Sequence, residues 1–138
     1  MIDYSKMITA ADKFEQRRQA KLQAIDRERD ALLTAGFEYA GHRFDSDEKS
    51  IQRINAIATL ALMNAGFETP YITQNNETIT LTASDIAGLG AAAAAHEASY
   101  VFLARSLKDQ VLAATTQEDL DAVVWPTQPD DPVDPTES

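Results

Sequence analysis

The chain has 138 residues, 44% of them hydrophobic, a formal net charge of −10 and no cysteine. That length fits one domain of ordinary size, and that apolar share is too high for a wholly disordered polypeptide. The charge argues against a protein whose main task is gripping nucleic acid, and the lack of cysteine excludes a disulfide framework or a thiolate metal site.

No continuous apolar run approaches the ~18 residues that a membrane span needs. Residues 1–9 carry Asp3 and lack the long apolar stretch of a signal peptide, so synthesis in the cytosol fits. Charge is unevenly spread. Through Ala35 there are seven Lys/Arg and six Asp/Glu, whereas the remainder has five basic and sixteen acidic residues. The first part can therefore attract the acidic remainder or an acidic neighbour, or can simply present a solvated mixed-charge helix face.

Residues 7–35 contain neither proline nor glycine and are rich in helix formers, which predicts a long first helix. Ile8, Ala11, Leu22, Ile25 and Leu32 share one stripe, interrupted by Glu15, Arg18 and Arg29. The heptad is imperfect, so a coiled coil is not expected; at about 43 Å the helix is expected to overhang its own core, as a docking arm over 1–35. Gly36 suits the left-handed C-cap. The segment Phe37–Asp45 reads as a small hairpin turning at Ala40-Gly41, with Asp45 and Glu48 as the capping box of a second helix to about Ala65. The stripe of that helix is Ile51, Ile54, Ile57 or Ala58, Leu60 or Ala61, and Leu62.

Ala35-Gly36-Phe37-Glu38 recurs as Ala65-Gly66-Phe67-Glu68, each copy after a helix and before a strand-like stretch. The second stretch is Tyr71-Ile72-Thr73, a turn at residues 74–77, and Thr78-Ile79-Thr80-Leu81. Shared cap chemistry explains the match as well as duplication does. Two hairpins at helix ends can pair into one sheet. Thr82 with Asp85 forms a capping box for a third helix over 83–114, with Ile86, Leu89, Ala93, Tyr100, Leu103 and Leu107 as its stripe. The small residues 91–95 admit a close neighbour, while Gly88-Leu89-Gly90 is a place to kink or loosen the helix. Val101, Phe102, Val111 and Leu112 widen the apolar surface beyond one stripe, so partners are expected on more than one side. Thr115 or Thr116 caps a short last helix holding Leu120 and Val123. From 125 to 138 the chain is an extended acidic tail with Pro126, Pro129, Pro132 and Pro135 at a period of three. The fold expected is mainly α with two small β-hairpins (α+β), organised as 1–35, a helix-hairpin core over 36–124, and the tail.

Catalytic chemistry is not visible. His42 lies near Ser46, Asp45 and Asp47, but adjacency is not triad geometry. His96 has Ser99 and Tyr100 at the spacings where a helical metal pair needs a second ligand. The acidic tail lacks the glycine and closing glutamate of a calcium loop, and the scattered glycines make no phosphate cradle. The expectation is no catalytic residue, metal or cofactor. A histidine at a hairpin tip and a packed histidine on a helix account for His42 and His96.

The block Tyr39-Ala40-Gly41-His42-Arg43-Phe44-Asp45, with Gln52-Arg53-Ile54, then Thr80-Leu81-Thr82-Ala83 and Ala113-Ala114-Thr115-Thr116 before Leu120, resembles a phage-tail domain of unknown function. That domain occurs in putative tail fibre and tail fibre-assembly proteins. The resemblance covers about residues 31–123. It implies a non-enzymatic tail-associated protein in the virion tail, made in the host cytoplasm. Its partners would be other tail proteins of the fibre, baseplate or tube end, in a homo-oligomer or hetero-complex, with no nucleic acid and no membrane. A cytoplasmic fibre-assembly chaperone is the alternative. Tyr39, His42 and Arg43 at the hairpin tip, and Trp125, Pro129 and Pro132 in the tail, are the candidate partner-binding residues. Building the hairpin is the competing role for the first three.

Overall fold

The computed structural model describes residues 9–126. Within them the protein is mainly helical, with two small antiparallel sheets: α1 (Ala10–Thr34), β1 (Phe37–Tyr39), β2 (His42–Phe44), α2 (Glu48–Met63), β3 (Glu68–Ile72), β4 (Thr78–Thr82), α3 (Ala83–Ala113) and α4 (Gln117–Ala122). Ile8 of the expected first stripe, and the tail beyond Pro126, lie outside the described residues.

The helix ends follow from local hydrogen bonding. Three of the four have a Thr at the N-cap, and α1 and α3 carry full capping boxes, Thr9 with Asp12 and Thr82 with Asp85. Each box satisfies backbone N–H groups that a helix start leaves without a partner. Thr116 caps α4. The expectation that Asp45 caps α2 fails: Asp47 does so, accepting from the Ser50 amide and hydroxyl. Asp45 stays exposed because Ser46, next along, is drawn inward. The Ser46 hydroxyl donates to the Leu33 carbonyl and accepts from the Gly36 amide at 2.8 Å. The first hairpin is thereby sutured to the end of α1.

That hairpin turns at Ala40 and Gly41, both with positive φ (53° and 81°), as a tight two-residue hairpin turn requires. The hairpins do not merge into one sheet; each remains a two-stranded sheet. β2 is three residues long and ends where Ser46 turns the chain into α2, too short to extend a ladder. The two hairpins are instead linked by the Gln74 amide donating to the Arg43 carbonyl at 2.8 Å. The Gln74 side chain also reaches the Ala35 carbonyl at 3.2 Å. The two Ala-Gly-Phe-Glu copies differ in geometry. Gly36 is buried with φ +101°, whereas Gly66 has no positive φ and follows Asn64, whose side chain accepts from its amide.

Helix α3, about 46 Å long at 1.5 Å per residue, is the spine between two cores. Its first half meets α2 and the hairpins around Phe37, Phe44, Ile54, Tyr71, Leu81, Ile86 and Leu89. Its second half meets α1 and α4 around Ile25, Ala104, Leu107, Val111, Leu120 and Val123. An aromatic series runs from the first core along α3. Tyr71 tilts against Phe44, Phe44 stacks on Phe37, Phe37 on His96, and His96 meets Tyr100 edge-on at 5.1 Å. The Gly88–Gly90 stretch does not break the helix.

From Arg18 to Leu33 α1 lies along α3 and does not stand away from the core. It runs antiparallel to α3, tied by His96 Nε2 to the Leu33 carbonyl (3.1 Å), Lys108 to Asp26 (2.9 Å) and Arg18 to the Ala114 carbonyl (2.8 Å). Arg18, which seemed to interrupt the apolar stripe, satisfies a carbonyl at the end of α3 and lies over the Phe14 ring. Such a carbonyl has no partner within its own helix.

Candidate protein-binding surface

The structure places the hairpin-tip residues in different roles. Tyr39 is half-buried and packs on the first core, its ring against Gly88 of α3. A β-carbon at position 88 would lie 1.8 Å from the Tyr39 hydroxyl, so glycine there is what admits the ring. His42 points to the second hairpin, Nδ1 3.9 Å from the Glu77 carboxylate. That separation is an ion pair only when the imidazole is protonated. Arg43 donates to the Gly36 carbonyl at 3.3 Å while its own carbonyl holds Gln74. Tyr39 and Arg43 therefore tie the hairpin to the body of the molecule, and His42 faces the second hairpin.

Trp125 is half-buried and covers the second core beside Val123 and Ile25. Its indole N–H is buried without an acceptor among the described residues. Pro129 and Pro132 lie outside the described residues. The structure does not bring Trp125 and the hairpin tip together, since they belong to the two different cores.

The largest exposed apolar side chains sit elsewhere. Val111, expected among the surplus, is fully buried in the second core. Val101, Phe102 and Leu112 are exposed, Phe102 to 72%. Val101 and Phe102 end a run along the outer side of α3 in which Ala91, Ala94, Ala98 and Val101 recur at steps of three and four, all exposed, while Leu112 lies beyond the exposed Arg105 and Asp109. Steps of four and three keep residues on one helix face. The expected α2 stripe also needs correction at its end. Ala61 packs on the core, but Leu60 and Leu62 do not, and Leu62 and Met63 are 85% and 80% exposed. Each residue beyond Ala61 turns the helix by about 100° away from the contact. Ala58, Ala61 and Leu62 face Ala83, Ala87 and Gly90 across a shallow groove of about 290 Å³ between α2 and α3.

By length and composition α3 is apolar enough to cross a membrane, which a search for unbroken apolar runs misses because a few polar residues interrupt the alanines. Only 22% of the residues in its most apolar window are buried.

The carboxylates with altered acidity are structural. Asp26 is held below its ordinary value by the Lys108 hydrogen bond, Asp47 by the Ser50 hydroxyl, Asp85 by the Thr82 amide and Asp119 by the Thr115 amide. Burial raises Tyr71 against the nearby Arg53. Among the described residues no three His, Asp or Glu side chains group as a metal site would need. What this surface offers chemically is apolar contact on α3 and at the end of α2.

Residues 16–124 match the model of a family described as a domain of unknown function (DUF4376). No curated protein gives a significant match to the chain. Nor does any solved structure.

Proposed function

The chain belongs to the DUF4376 family, and we propose that it is a non-enzymatic component of bacteriophage tails that works by docking the outer face of α3 onto another tail protein. The observation that carries the reading is the exposed apolar run on that face, with Phe102 open to solvent and no chain segment among the described residues folded over it. Exposed apolar side chains grouped along one element mark interaction surfaces, and isolated ones do not. Each of Val101, Phe102 and Leu112 would contribute on the order of 1–2 kcal/mol on being covered. The tail context rests on the resemblance carried by Tyr39–Asp45 and the later matching blocks. Fibre, baseplate and tube-end proteins are the partners it suggests, and the virion tail is the location.

Mass spectrometry of purified particles of the encoding phage tests this. Peptides of this chain in a fixed ratio to known tail proteins are expected. Their absence from particles, with the protein abundant in the infected cell, would overturn the structural role in favour of one confined to assembly.

A further inference from the structure

A cleft of about 310 Å³ opens where the end of α1, the start of α2 and the middle of α3 meet. Its volume is at the lower end for ligand pockets, enough for one long side chain. Leu33, Ile51 and Ala93 supply apolar lining, and Ala93 is buried. The exposed residues of the lining are Glu48, Gln52 and Glu97, so two carboxylates stand at the mouth. No lysine or arginine lines the cleft. Among the described residues neither the Glu48 nor the Glu97 side chain has a hydrogen bond or ion pair. The other polar groups are already committed inward: the Ser46 hydroxyl donates to the Leu33 carbonyl, and His96 Nε2 bonds to the same oxygen. The positive end of the α2 dipole is met by the Asp47 cap, so it does not neutralise the mouth.

We propose that this cleft receives an arginine side chain from a partner protein, its aliphatic stem against Leu33, Ile51 and Ala93 and its guanidinium at the Glu48 and Glu97 carboxylates. The charge of the mouth selects a cation, and the apolar lining selects one on a long stem. A guanidinium fits better than an ammonium. It sheds water more readily and presents five donors in a fixed plane, able to engage two carboxylates together. The inference rests on the protein-docking reading in one respect, that the arginine belongs to a protein. It concerns residues separate from the outer α3 face.

The test is a titration of the full chain with Nα-acetyl-arginine methylamide, followed by the methyl NMR signals of Leu33, Ile51 and Ala93. Saturable shifts confined to those methyls are expected, with a Kd on the order of millimolar for so small a probe. Nα-acetyl-citrulline methylamide, the uncharged isostere, should bind at least about tenfold more weakly, and the lysine analogue should also be weaker. Glu48→Gln with Glu97→Gln should weaken arginine binding about tenfold or more, with an unchanged melting temperature because both side chains are exposed. No saturable shift, equal binding of citrulline, tighter binding of lysine, or indifference to the double substitution would each overturn the assignment. Failure here leaves the α3 face untouched, and loss of docking at Phe102 leaves the arginine titration unchanged, so the two readings fail separately.

Discussion

The Tyr39 hydroxyl lies 1.8 Å from the point where a β-carbon on residue 88 would sit, and the ring carbon behind it lies at 2.6 Å. Glycine inside a helix normally costs about 1 kcal/mol relative to alanine. Gly88 is kept for space: it lets a hairpin aromatic lie directly on the α3 backbone.

A mutant cycle follows from that contact. Gly88→Ala must expel the Tyr39 ring, and the loss of packing, about 1–3 kcal/mol, outweighs the helix-propensity gain. In a Tyr39→Ala background the clash is absent, so the same Gly88→Ala change becomes stabilising. Urea unfolding of the four proteins measures the sign reversal. Stabilisation by Gly88→Ala in both backgrounds would show that the ring does not occupy that space.

Ala40 holds a left-handed conformation that costs a non-glycine residue about 1–2 kcal/mol. Asn-Gly is preferred in such turns. Ala40→Asn should therefore raise stability by roughly 0.5–1 kcal/mol, read as a higher urea midpoint at constant slope.

Phe44 is 1% exposed and packs between Phe37 and Tyr71. Phe44→Ala should cost about 3–5 kcal/mol. An unchanged melting temperature would place the residue outside the first core.

Stability should fall at both ends of the pH scale. Asp26, Asp47, Asp85 and Asp119 are more acidic when folded than their ordinary value of 3.8. Their contribution is present above that value and is lost as the pH falls below it through their folded values. Tyr71 is less acidic than its ordinary 10.0 when folded, so its contribution holds below pH 10.0 and is lost as the pH climbs beyond it. Thermal melts from pH 2 to 12 should give a plateau between those limits. Lys108→Met should remove the part of the acid-side drop that comes from Asp26, whose decreased affinity for protons depends first on that lysine.

Much of the fold is written locally. The Thr82–Asp85 box, the Ala40-Gly41 turn and the α3 stripe are short-range features, and the structure contains each of them. What sequence reading misses depends on distant contacts. Ser46 prefers the Leu33 carbonyl to a place near the helix start, which moves the α2 cap to Asp47. Arg18 reads as a polar interruption until Ala114, ninety-six residues later, is placed beside it. The candidate surface is half legible. An apolar excess on α3 can be counted, but only packing separates Val111, which α1 and α4 cover, from Phe102, which nothing in the described chain covers. The hairpin tip reads as a partner site because Tyr39, His42 and Arg43 are polar or aromatic at a turn, and Gly88, Glu77 and Gly36, beside which the structure places them, lie outside that turn.

The proposed docking puts a tail protein over the outer face of α3. Replacing Phe102 with the photocrosslinking residue p-benzoylphenylalanine, assembling particles, and irradiating them after purification reads this directly. The expected result is a cross-link to one identified tail protein, strong at position 102 and absent from an exposed control at Gln19 on α1. Cross-linking at 102 no greater than at Gln19, in particles that contain the protein, would contradict it.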